Sequence, residues 1–111
     1  SSKYTFKSLI MPAIARKDGT DNITTNHGCD GTTITDQGSS NVFINGKGAV
    51  RAGDLCLTHL IPAGLICVSH TVPLTTYSST VFINGKGVGR LGDEYEGHTI
   101  SSGSSNVFAG G

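Results

Sequence analysis

The stretch Val42-Phe43-Ile44-Asn45-Gly46-Lys47-Gly48 returns without change as Val81-Phe82-Ile83-Asn84-Gly85-Lys86-Gly87, 39 positions further on. Asn-Gly is the pair that most favours a two-residue type I′ turn, because both central positions need a positive φ. The short runs on either side, Asn41-Val42-Phe43-Ile44 and Ala49-Val50-Arg51, carry β-type residues with partial alternation. Each copy therefore predicts a hairpin, with Val42 and Ile44 on one face and Phe43 on the other. Val81, Ile83 and Phe82 repeat that division.

Working outward, Arg51-Ala52-Gly53-Asp54 follows the first copy and Arg90-Leu91-Gly92-Asp93 the second, in the same register. The Gly-Asp pairs mark the next turns, with Asp54 and Asp93 accepting local backbone hydrogen bonds, and Arg51 and Arg90 are expected to pair with nearby acids or carbonyls. The C-terminal Gly103-Ser104-Ser105-Asn106-Val107-Phe108 echoes Gly38-Ser39-Ser40-Asn41-Val42-Phe43 and begins a third unit. Ala15-Arg16-Lys17-Asp18-Gly19 supplies its other half, with the Gly-Asp order inverted. About three β units thus follow one another in one chain, a self-similarity that decides the architecture. No segment carries a helical stripe, so the fold is read as all-β.

With 111 residues there is room for one domain. A domain this small buries a modest share of its surface, so its core alone gives thin stability. Eight basic and eight acidic side chains cancel, leaving no basic stripe for nucleic acid. No run approaches the roughly 18 apolar residues of a membrane span. The stretch Leu9–Ala15 only weakly imitates a secretory signal, and residues 1–10 read as an N-terminal extension or a cloning remnant before a domain at 11–111. Cys29, Cys56 and Cys67 are too few and odd in number for a disulfide framework, which points to a reducing compartment. Cys56 and Cys67 read as small buried residues. The apolar run Leu60–Ile66 is expected to pack on the body or the base, or, if exposed, to mark an interface.

Four histidines in so short a chain raise the question of metal. His59 and His98 each lie eight residues past the arginine of their repeat, a register that two unrelated surface histidines have no reason to keep. His27 and His70 lie in the connections that precede the first and second hairpins. All four belong to the end opposite the Asn-Gly turns, and neutral imidazoles in a closed set of four suit Zn²⁺. Imidazole-rich sites also take iron, copper or nickel, and spacing does not choose among them. The Gly-Ser-Ser strings lack a nucleophile elbow, and Asn45-Gly46-Lys47-Gly48 lacks phosphate-loop spacing.

The ordered set Pro12-Ala13-Ile14-Ala15-Arg16, Thr25-Asn26-His27-Gly28, the two Val-Phe-Ile-Asn-Gly-Lys copies with Arg-x-Gly-Asp, and the terminal Gly-Ser-Ser-Asn-Val-Phe resembles the PAAR-repeat family over nearly all of residues 11–111. The resemblance implies a small three-sided, pseudo-threefold cone with a metal near its apex. It also implies a structural, non-enzymatic role as the tip of a contractile phage tail or a type VI secretion spike. In that role one copy caps a trimeric β-helical spike protein through the base, on the virion or the secreted spike. The chain would be made in the cytoplasm and would meet a target membrane only in passing. Members commonly use three histidines and one cysteine, often with a Cys-Gly pair where this chain has Glu96-Gly97-His98. His98 then replaces the thiol, or Cys29 replaces one histidine, and the expected ligands are His27, His59, His70 and His98. The alternatives are a free-standing zinc-binding interaction module and a small metal hydrolase with Glu96 as its base.

Overall fold

Both Asn-Gly pairs form the turn their chemistry requires. A computed structural model of the chain describes residues 11–111, and the reading of residues 1–10 as an extension or remnant lies outside the described residues. Asn45 and Gly46 take φ of 55° and 82°, and Asn84 and Gly85 take 56° and 76°, the left-handed pair of a type I′ turn. These turns close the hairpins β3–β4 (Phe43–Ile44, Lys47–Gly48) and β7–β8 (Phe82–Ile83, Lys86–Gly87). Ile44 and Ile83 are buried, whereas Phe43 and Phe82 stand 58% and 59% exposed, as alternation along a strand demands.

The other strands are β1 (Asn22–Thr24), β2 (Thr32–Ile34), β5 (His59–Ala63), β6 (Ile66–His70), β9 (Glu94–Tyr95) and β10 (His98–Ile100). They form a four-stranded sheet in the order β2-β1-β10-β9 and a separate ribbon, β5–β6. Every strand pair is antiparallel. The described residues contain no helix, and the fold is the all-β one expected from the repeats, consistent with the small cone that the resemblance implies.

Threefold closure is visible in the backbone itself. Val50 N–H donates to Ala15 C=O, Ala15 N–H to Gly89 C=O, and Gly89 N–H to Val50 C=O, at 3.0, 2.9 and 2.8 Å. Each unit thus donates to one neighbour and accepts from the other, which closes a ring of three. The two chain ends complete the third side together: Ser104 N–H bonds Ile14 C=O just as Ser39 bonds Ala49 and Ser78 bonds Val88. Below the ring lies a basal apolar layer built in triads, with Ile14, Ala49 and Val88 above Ile44, Ile83 and Ala109. Above it Ala15 and Val50 join Ile23, Val72, Tyr95 and Ile100 in a second layer. Tyr95 is fully buried, and its Oη has no hydrogen-bond partner among the described residues.

An arginine–aspartate clamp marks each side. Asp54 accepts from the Arg51 backbone N–H at 2.8 Å and from its Nε at 3.0 Å, and Asp93 does the same for Arg90 at 2.9 and 2.8 Å. The aspartates thus combine the expected turn role with an ion pair. On the third side Arg16 bonds Asp21 through its N–H and guanidinium, so the acid lies two residues beyond the Asp18-Gly19 pair that the repeat suggested. Burial pushes the Asp21 carboxyl up, but hydrogen bonds from Arg16 and Ser102 outweigh it and hold the group below its ordinary value. Asp21 is 1% exposed, and a buried carboxylate needs such pairing.

Where the units pass one another only glycine fits. A Cβ at Gly48 would collide with the Ser39 carbonyl, and one at Gly87 with the Tyr77 ring and the Ser78 carbonyl. Gly48→Ala should therefore lower stability by about 2–3 kcal/mol. Gly31→Ala, which meets nothing within 4 Å, should stay within about 0.5 kcal/mol of the parent. Urea titration of both variants checks the contrast, and equal losses would remove the close-approach argument.

Candidate metal centre

Three segments leave the second apolar layer and carry its inward face onward. Ile23 and Thr25 are buried, and His27 comes two residues later. His98 sits two before Ile100, and His70 two before Val72. Period-2 alternation that turns an apolar side chain inward turns the next-but-one residue inward as well. His59 opens β5 directly across from His70 in the β5–β6 register. The β1–β2 loop that presents His27 is shaped by left-handed Asn26 (φ 64°) and Cys29 (φ 65°). It is tied by Thr25 Oγ1–H to Asp30 C=O at 2.6 Å and by Asn26 Nδ2–H to Gly97 C=O at 2.8 Å.

The four histidines expected from the sequence come together. One ligating atom from each of His27, His59, His70 and His98 lies within 4.8 Å of all the others, a cluster that can hold a metal ion. The Nε2 atoms of His27, His59 and His98 form a triangle with sides of 3.1, 3.0 and 3.1 Å. Their Nδ1 atoms face backbone carbonyls: Gly28 at 2.8 Å, Leu57 at 2.9 Å and Glu96 at 3.3 Å. A carbonyl only accepts, so each Nδ1 carries the proton and each Nε2 presents a lone pair. Three lone pairs aimed at one another repel unless a cation lies between them. The second set of partners thus fixes the tautomer that metal ligation needs. His70 Nε2 is buried without any hydrogen-bond partner, and a fourth donor left orphaned beside such a triangle fits the same ion. Tetrahedral zinc at about 2.0–2.1 Å would hold its nitrogens roughly 3.3–3.4 Å apart, a few tenths beyond the spacing seen.

No cysteine belongs to the cluster. Cys29 and Cys67 form a disulfide with their Cα atoms 6.1 Å apart, which overturns the readings of Cys29 as a substitute ligand and of Cys67 as a buried residue. Both are exposed, and the bond removes the basis for expecting a reducing compartment. Cys56 is free and buried, as expected. The pairing had a signal in the sequence: Cys29 lies two residues after His27 and Cys67 three before His70, so two converging ligands bring their neighbours together. Of the two expectations for the Leu60–Ile66 run, packing on the body fails and exposure holds. The β5–β6 ribbon leaves the body at the His59–His70 pair, with Leu65 fully exposed and Ile66 65% exposed. The Glu96 side chain is exposed, and its backbone carbonyl is what faces His98.

Burial lowers the imidazole pKa of both His70 and His98 from the ordinary 6.5, and the neighbouring histidines lower both further. The folded chain therefore favours neutral rings, and the unfolded chain binds more protons. In the metal-free protein the stability that neutral His70 and His98 contribute should be fully present above pH 6.5 and be lost as pH falls from there through their lowered folded-state values, and acid should also expel a bound metal. Urea midpoints of the stripped protein across this range, with the His70→Ala/His98→Ala variant as a flatter control, check the sign. Reducing the Cys29–Cys67 bond, which closes a span of 38 residues, should cost up to about 4 kcal/mol. A melting point unchanged by thiol reductant would contradict this.

No protein-family model and no curated protein matches this chain, so its function rests on the geometry above.

Proposed function

We propose that the chain is a structural tip whose imidazole cluster holds one Zn²⁺ and whose base caps a trimeric β-helical spike in a contractile phage tail or a type VI secretion machine. The observation that carries this reading is a threefold set of exposed aromatics. Phe43, Phe82 and Phe108 occupy equivalent positions in the three units and stand 58%, 59% and 49% exposed. Each precedes a basal-layer residue, Ile44, Ile83 or Ala109, so all three belong to the end remote from the histidines. Three apolar side chains in threefold register suit three identical chains that end in unpaired strand edges. One copy per trimer satisfies both symmetries.

The metal supplies what the narrow end lacks. A closed set of four neutral imidazoles favours zinc in a structural site, with iron as the rival. Four protein nitrogens fill a tetrahedron and leave no open position for a substrate water, which favours a structural role over hydrolysis. A free-standing zinc module would keep the metal and show no affinity for any trimer.

Elemental analysis should find about one zinc per chain, and none in the His27/His59/His70/His98→Ala variant. Equal metal in both would defeat the ligand assignment. Co-expression with the cognate spike protein should yield one copy per three spike chains, and Phe43→Ser/Phe82→Ser should weaken that capture by about 100-fold on the scale of two buried aromatic anchors. Persistent failure to recover such a complex, with zinc content intact, would leave the free-standing module.

A further inference from the structure

The β5–β6 ribbon is the most exposed apolar element described. Leu60, Leu65, Ile66 and Val68 are 41%, 105%, 65% and 36% exposed. Gly64 takes φ 65° at the first turn position while Leu65 keeps an ordinary φ, so a II′-type turn holds Leu65 out at the tip. Strand register places Leu60, Pro62, Cys67 and Ser69 on one face, and Ile61, Ala63, Ile66 and Val68 on the other. Ser69 lies toward the root, and from the Pro62–Cys67 pair outward both faces are apolar. A protein groove covers one face of a ribbon and leaves the other wet, whereas a fluid apolar medium surrounds both.

Charge and backbone agree with that medium. From Leu55 to Gly85 there is no Asp, Glu, Lys or Arg. A ribbon entering lipid is penalised for unpaired backbone groups at its edges, and the β5 edge is partly relieved of them. Leu60 N–H donates to the Asp30 carboxylate at 2.7 Å, and Leu60 C=O accepts from Asp30 N–H at 3.1 Å. Pro62, two residues on and equally outward, has no N–H to leave bare. The Cys29–Cys67 disulfide braces the ribbon at the level of the Pro62–Cys67 pair, so little order is lost when the tip beyond it docks. Strands of five residues span about 17 Å, roughly half a bilayer's hydrocarbon core, so the ribbon enters one leaflet and does not cross.

We propose that the Ala63-Gly64-Leu65-Ile66 tip of this ribbon is a lipid-contacting wedge that enters the interfacial layer of a bilayer without needing anionic lipid. The inference rests on the ribbon alone and holds whether or not the base meets a spike.

The test uses the full chain and vesicles of phosphatidylcholine, with and without phosphatidylserine. The chain should float with both kinds equally, and added salt should not release it. Leu65→Ser/Ile66→Ser should weaken binding by about 100-fold, roughly tenfold per apolar side chain withdrawn. Leu91→Ser, an exposed leucine elsewhere on the surface, should bind as the parent does. Because the chain has no Trp, Leu65→Trp gives a single reporter, whose emission should shift to the blue and be quenched by brominated lipid. The proposal is overturned if the parent stays with the unbound fraction, if binding requires phosphatidylserine, or if the reporter shifts only when the spike protein is added. Loss of spike binding in Phe43→Ser/Phe82→Ser with vesicle binding retained separates this result from the base-docking reading.

Discussion

Everything in this molecule depends on three backbone segments lying side by side without a helix or a large core to seat them. The cyclic hydrogen bonds among Ala15, Val50 and Gly89 are short and mutual, and each requires the other two segments to be in place. Residues with small or branched side chains suit this position because the segments approach closely. Gly48 and Gly87 lie where any Cβ would strike a neighbouring carbonyl. Apolar burial then follows in two thin layers, one on each side of the ring. Neither layer is thick, and the arginine–aspartate clamps on the three flanks stop the turns from opening.

The same economy explains the histidine end. Past Ile23, Val72 and Ile100 the converging strands leave no volume for another apolar layer. Imidazoles continue the inward face, and their Nδ1 atoms are already committed to carbonyls of their own loops. Local backbone turns have thus selected the tautomer before any ion arrives. The lone pairs that remain are mutually repulsive, and a cation held among them would supply the term that the fold alone lacks. Electrostatics rather than burial sets the stability of this part of the chain.

Much of this was legible in the residues. The repeated Asn-Gly turns gave the hairpins and their faces down to the exposure of Phe43 and Phe82, because turn chemistry and alternation are local rules. The register of His59 and His98 marked them as a pair, because a repeat carries equivalent positions to equivalent places. What escaped the reading was non-local or broke the repeat. Asp21 replaces Asp18 as the third acid because the first loop is longer, which no spacing rule anticipates. The disulfide was missed because counting three cysteines says nothing of which two meet. Between packing and exposure the sequence leaves the Leu60–Ile66 run open, because it has no counterpart in the other units against which to judge it.

The sulfur–sulfur bond also changes what happens when the chain is pulled. Tension applied along the backbone enters at Cys29 and leaves at Cys67 without passing through the residues between them, since the bond is a shorter covalent route. The first Asn-Gly hairpin, the Arg51–Asp54 clamp and His59 all lie inside that bypassed span. Under axial load this part of the chain is mechanically silent and cannot pay out as slack, roughly 130 Å of extended contour kept in reserve at about 3.5 Å per residue. The load is then carried by the residues up to Cys29 and from Cys67 onward, the segments that bear His27, His70 and His98.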